Sequence, residues 1–343
     1  TRAGQEAYIY ALLREMETVS KNLKKRPVDT VFIGGGTPSV PECDVMEKLL
    51  QGLRDYFLFS ADAEVTIEAN PGTLTPEKLS IYRKYGINRI SIGLQSPNNK
   101  ELAMLGRIHN YAQFLESFQM AREAGFSNIN VDLMFAIPGQ SYDGWIENLQ
   151  TVAALGPEHI SAYSLIIEEG TPFFRKKLDL PDEDTEYRMY EDVAAVLKEY
   201  DYHQYEISNY AKAGYECRHN EGYWQRKDYL GLRLGANSLL GMERFSNTAD
   251  MQEYLKNSSA PEKIRKNREL LTREDEMAEF MFLGLRMTQG VSKKEFQEYF
   301  GTAIENIYGE VLKKYKKQGL LLEESGRIFL SREGIHVSLS LIH

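Results

Sequence analysis

From residue 28 to residue 167 the chain alternates short apolar runs with amphipathic stretches, and this alternation limits its possible folds more than any other feature. Residues 28–33, 64–68, 89–94, 130–137 and 160–167 read as strands. Residues 5–22, 42–57, 76–85, 111–124 and 143–155 read as helices, the third with Pro76 suited to its first turn. Strands that look apolar throughout and are joined by helices imply a parallel sheet covered on its outer face. The class predicted is α/β, and a further strand is expected before Thr1.

The second half breaks the pattern. An acidic helix start at Asp182-Glu183-Asp184 leads into an amphipathic stretch to residue 200, followed by a polar, aromatic segment up to Trp224. Residues 272–287 and 292–318 read as two or three helices, with Thr272 and Asp275 placed to cap the first. Residues 319–322 and 327–330 flank Ser325-Gly326 as a hairpin. Three regions are predicted: 1–172, the alternating strands and helices; 173–265, a connecting region; and 266–343, a small helical, winged-helix-like domain. Winged helices commonly bind DNA, but a net charge of -9 gives no basic footprint for it. No run of about 18 apolar residues is present, so no spanning helix is expected. The two cysteines, Cys43 and Cys217, make neither a disulfide framework nor a metal motif and fit a reducing cytoplasm.

Ligands of parallel sheets bind at the carboxyl ends of the strands. There the sequence places Gly34-Gly35-Gly36-Thr37-Pro38, then Glu68-Ala69-Asn70-Pro71, Gly93-Leu94-Gln95-Ser96, and Asp132 within an apolar run. Three glycines let a ligand approach the backbone and leave N–H groups free. A carboxylate inside a strand is costly unless it is paired or faces a ligand. Each motif alone is more often structural, a turn, a cap or a buried hydrogen bond; together they have the arrangement of a ligand site.

In this order, and with Asp132-Leu133-Met134 running on to Ile137-Pro138-Gly139-Gln140, the motifs resemble the radical S-adenosylmethionine (SAM) core of oxygen-independent coproporphyrinogen III oxidases and their haem-chaperone relatives, the HemW group. The resemblance extends along nearly the whole chain. It implies a partial (β/α)6 barrel with SAM as cofactor: Gly35, Gly36 and Thr37 around the methionyl end, Arg107 facing its carboxylate, and Glu68, Gln95 and Asp132 as polar contacts, the last two toward the ribose. It also implies a [4Fe-4S] cluster held by a C-x-x-x-C-x-x-C loop. This chain has no such loop, so the loop is expected ahead of Thr1, natural loss of the cluster being the rival. As it stands, the polypeptide is not expected to cleave SAM reductively.

His219-Asn220-x-x-Tyr223-Trp224 looks like a motif of the chaperone group. It implies either a haem ligand with stacking aromatics or a packed loop anchored by His219. The stretch from Tyr229 to Ser238 departs from the group: Arg233 stands where a small residue is usual, and Asn237 replaces a histidine. His109 and His203 are expected at the surface. The resemblance therefore implies a haem chaperone that binds SAM and haem and serves a haem-acceptor apoprotein. The alternatives are oxidative decarboxylation of coproporphyrinogen III and, remotely, nucleic-acid binding.

Overall fold

A computed structural model describes every residue except 22, 24, 25, 172 and 343, and the backbone alone of residues 339–342. The expected end of the first helix, at 22, and the expected domain boundary, at 172, lie outside the described residues. The first half runs α1 (Arg2–Ser20), β1 (Val28–Ile33), α2 (Cys43–Tyr56), β2 (Phe59–Ala69), α3 (Pro76–Lys84), β3 (Arg89–Gln95), α4 (Asn99–Met104), α5 (Tyr111–Glu123), β4 (Ile129–Phe135), α6 (Tyr142–Ala153) and β5 (His159–Ser164). The helices start where polar side chains can cap them. Thr75 accepts from Lys78 N with Pro76 following, and Asn110 forms a reciprocal capping box with Gln113.

β1 to β5 are parallel neighbours in one sheet. The sheet continues past residue 172: α7 (Glu183–Lys198) leads into β6 (His203–Glu206) and β7 (Asn209–Ala211), and β7 pairs antiparallel with both β5 and β6. The order β1-β2-β3-β4-β5-β7-β6 makes an open half-barrel of seven strands, with helices packed on its outer face.

The strands are not apolar throughout, as the sequence led us to expect. They alternate. Val65 and Ile67, Ile90, Ile92 and Leu94, Val131 and Leu133, and Ile160 join the helices in one core. The other parity carries Glu64 and Glu68, Arg89 and Ser91, Asn130 and Asp132, and His159 and Ser161, and it lines the inside. Isolated runs of five or six residues concealed this, because glycine, serine and alanine blur the period. β1, expected to be buried, is half-exposed along most of its length because β2 is its sole neighbour in the described sheet.

Beyond the sheet lie α8 (Arg218–Trp224), a three-stranded sheet of β8 (Asn237–Leu240), β9 (Glu243–Asn247) and β10 (Arg265–Leu270), and the short helices α9 (Met251–Asn257) and α10 (Pro261–Ile264). Sequence inspection had left this region without elements. The C-terminal module comprises α11 (Arg273–Gly284), β11 (Val291–Ser292), α12 (Lys293–Phe300), α13 (Ile304–Lys317), β12 (Leu321–Glu324), β13 (Arg327–Leu330) and α14 (Arg332–Ile342). It has its own core around Phe296, Phe300 and Ile328, and Thr272 and Asp275 form the expected capping box. Among the described residues no helix is long and apolar enough to cross a membrane.

Candidate functional site

The carboxyl ends of β1 to β4 bring the expected motifs together. Glu68 accepts the Gly35 N–H at 3.0 Å, which fixes the glycine loop against β2. Asn70 Nδ2 donates to Thr37 Oγ1 at 3.3 Å, while its Oδ1 accepts from Arg107 at 3.0 Å. Arg107 also donates to the Gly93 carbonyl at 3.1 Å. A Cβ on Gly93 would lie 3.1 Å from Gln95 Nε2, 3.4 Å from Arg107 and 3.5 Å from Asn70 Oδ1, so these three side chains converge over a bare backbone. Gly36 faces open space. Gln95 holds φ at 73°, a left-handed conformation uncommon for a side chain of its kind and often found at binding sites.

Asp132 stands on the inner face of β4. Ser91 Oγ donates to its Oδ2 at 3.1 Å and Asn130 Nδ2 to its Oδ1 at 2.8 Å. Burial raises the pKa of both Asp132 and Glu68; these bonds oppose the shift at Asp132, and the Gly35 N–H opposes it at Glu68. Burial lowers the pKa of Arg107, while the charge of Asp132 opposes that change. The site therefore offers a guanidinium, two carboxylates, an amide and loop backbone: donors and acceptors suited to a zwitterion bearing hydroxyl groups.

Below Asp132 a polar chain runs through the barrel, and the sequence reading missed it. His159 bridges Asn130 Oδ1 at 2.6 Å and Tyr205 Oη at 2.8 Å, and the Cys217 N–H donates to Tyr205 Oη at 3.2 Å. Burial, with help from Arg89, keeps the His159 pKa well below its ordinary value, so the ring is neutral. Arg89 is 2% exposed and Glu64 6%. The inward parity of the strands was the signal that could have found these residues.

Cys217 starts α8 with no side-chain cap of its own, and Glu64 takes that role, accepting from Arg218 N and His219 N at 3.1 Å each. His219 Nδ1 meets Thr30 Oγ1 at 2.9 Å, Nε2 meets Tyr223 Oη at 3.2 Å, and the ring stacks on Phe32. Both ring nitrogens of His219 are thus engaged by hydroxyl groups. Trp224 packs in a cluster with Cys217, Tyr205 and Met287 under the Arg286 guanidinium. Burial above all pushes the His219 pKa down to about 4 and the Cys217 thiol up to about 11. His203 is exposed beside Glu216, as expected. His109 is not at the surface: it is buried in the segment between α4 and α5, where its Nε2 meets the Leu94 carbonyl at 3.1 Å. Asn237 is exposed at the start of β8.

Neither cysteine belongs to a cluster site. Cys43 begins α2, Cys217 is buried at α8, and among the described residues no three His, Cys, Asp or Glu are grouped to hold a metal.

Residues 3–152 match the radical SAM superfamily and residues 271–337 the HemN C-terminal domain. Coproporphyrinogen III oxidase (HemN) from Escherichia coli, described as a radical SAM enzyme, superposes with a TM-score of 0.85 over 98% of this chain and 82% of that one, at 23% identity, a likeness of fold. The half-barrel and its glycine loop are thus those of a radical SAM protein with a HemN-type C-terminal module. The heme chaperone HemW of Bacillus subtilis (strain 168) is 36% identical over 334 residues, covering 96% of this chain and 88% of that protein. The heme chaperone HemW of Escherichia coli (strain K12) is 34% identical over 337 residues, covering 94% and 88%. The chain belongs to the HemW family.

Proposed function

We propose that this protein is a haem chaperone that binds SAM at the carboxyl ends of β1 to β4 and passes haem to an acceptor apoprotein. The observation that carries the SAM part is the convergence of Gln95, Arg107 and Asn70 over Gly93, beside a loop held by Glu68. In this reading Gly35, Gly36 and Thr37 lie along the methionyl chain, Glu68 takes its ammonium and Arg107 its carboxylate. Asp132 and Gln95 orient the ribose hydroxyls. With a [4Fe-4S] cluster, SAM supplies the reductive chemistry typical of the superfamily; the described residues include no ligands for that cluster.

The haem part is supported by the HemW relatives, which the chain matches over most of its length. His219, Tyr223 and Trp224 then serve it as the anchor of α8 on the inner face of β1 and β2. Decarboxylation of coproporphyrinogen is the second reading, favoured by the likeness to HemN. Absorbance titration with haem, beside an assay for carbon dioxide release from coproporphyrinogen III, separates the two. Stoichiometric haem binding without carbon dioxide is expected. Release of carbon dioxide by the cluster-loaded protein would overturn the chaperone reading.

A further inference from the structure

Arg233 has φ at 117°, a conformation in which residues other than glycine are rare. Its backbone is held on both sides. Its N–H donates to Glu15 Oε2 at 3.0 Å, and its carbonyl accepts from Asn247 Nδ2 at 2.9 Å. Glu15, on α1, is itself buried and also accepts from Asn247 and from the Tyr254 hydroxyl, both at 2.6 Å. A glycine would satisfy all these backbone bonds without strain.

The side chain in this strained place runs to the glycine loop. The guanidinium lies so close over Gly35 that a Cβ there would overlap it, beside the Glu68 carboxylate and the Tyr8 hydroxyl. It is hydrogen-bonded to the Tyr8 hydroxyl and its charge acts on Glu68, but among the described residues no carboxylate lies within ion-pair distance of it. The site thus has two cations on opposite flanks: Arg107 over β3, tied to Asn70 and Gly93, and Arg233 over the loop after β1. SAM has one carboxylate. A second guanidinium with donors to spare beyond its bond to Tyr8 suits the carboxylate of a second ligand, and strained residues collect where binding needs them.

We propose that Arg233 is a carboxylate receptor that takes a propionate of the tetrapyrrole while Arg107 faces the SAM carboxylate. This rests on the haem reading above and adds the place where the cargo's acid group docks. The source of the carboxylate is settled by titrating iron protoporphyrin IX, its dimethyl ester and SAM separately into wild type, Arg233→Gln, Arg233→Lys and Arg233→Gly. Wild type is expected to prefer the free acid over the ester by about tenfold or more. Arg233→Gln and Arg233→Gly lose that preference, Arg233→Lys keeps part of it, and SAM affinity shifts by less than about threefold in all three. Arg233→Gly, relieved of the strain, keeps or raises its Tm, so a folding defect does not explain its loss. The proposal is overturned if the substitutions weaken acid and ester equally, if they weaken SAM and spare the preference, or if wild type binds both porphyrins alike. A wild type that binds neither porphyrin overturns the haem reading and this proposal with it.

Discussion

The carboxylate of Glu64 and the backbone N–H of His219 meet at 3.1 Å across a sequence separation of 155 residues. A side chain on an early strand thereby caps a helix of the second half. The same carboxylate faces Arg89, buried at the start of β3, so one residue serves both a helix end and a buried cation.

Glu64→Ala removes the cap and leaves Arg89 with Asp132 as its opposing carboxylate. A loss of roughly 3 kcal/mol or more is expected, read as a lower urea midpoint. Glu64→Gln retains an acceptor and should recover part of the loss. An unchanged midpoint in the alanine variant would show that α8 does not depend on this carboxylate.

His219 gives a pH signature. Its folded pKa, about 4, lies below the ordinary 6.5, so the folded state resists protonation. Its stabilisation is complete above pH 6.5 and is lost as pH falls toward 4. His219→Gln should flatten this part of the stability curve by up to about 3 kcal/mol, leaving the slope that His159 contributes in the same direction. The same variant tests the anchor against the iron ligand. Unchanged absorbance of bound haem is expected, and a shifted Soret band would restore the ligand role.

The SAM cradle is tested at Gly93. Gly93→Ala places a methyl group 3.1 Å from Gln95 Nε2 and 3.4 Å from Arg107. Calorimetry should show SAM binding weakened about tenfold with little change in Tm. Arg107→Ala is expected to cost roughly 10- to 100-fold, the usual range for a charge-assisted contact. Wild-type affinity in Gly93→Ala would move SAM elsewhere.

Arg226 joins the middle of the chain to the C-terminal module. With its side chain 7% exposed, it meets Glu276 at 2.8 Å and Glu279 at 2.7 Å, and Arg244 also reaches Glu279. Arg226→Ala leaves Glu276 with the Tyr299 hydroxyl and Glu279 with Arg244, and a loss of about 3 kcal/mol is expected. Hydrogen exchange should report it as lost protection in α11. Full protection there would mean that the module is held by its apolar contacts alone.

How much of this was legible follows from the period of each segment. Five parallel strands and their helices were readable because their outward residues, such as Ile90, Ile92 and Leu94, form the apolar core. The motifs at the strand ends were readable because glycine and carboxylate in those places are unusual. The inner face was not: Arg89, Asn130 and His159 become a network only once register sets them side by side. β6, β7 and α8 were missed because they are short and rich in tyrosine, and their order comes from partners such as Glu64 far away in the chain. His219 stood out as a histidine among aromatics, yet only coordinates could show both ring nitrogens already in use.

The arginine at position 233 sits on a backbone shaped for glycine. Arginine and glycine codons can differ by a single base, and here the change to glycine lowers strain. Mutational drift therefore presses steadily on this position in the direction of loss, with stability as its ally rather than its brake. If the carboxylate reading is right, an arginine there is kept for its partner rather than for its backbone. In a lineage that no longer needs a cation over the glycine loop, this residue should be among the first to change.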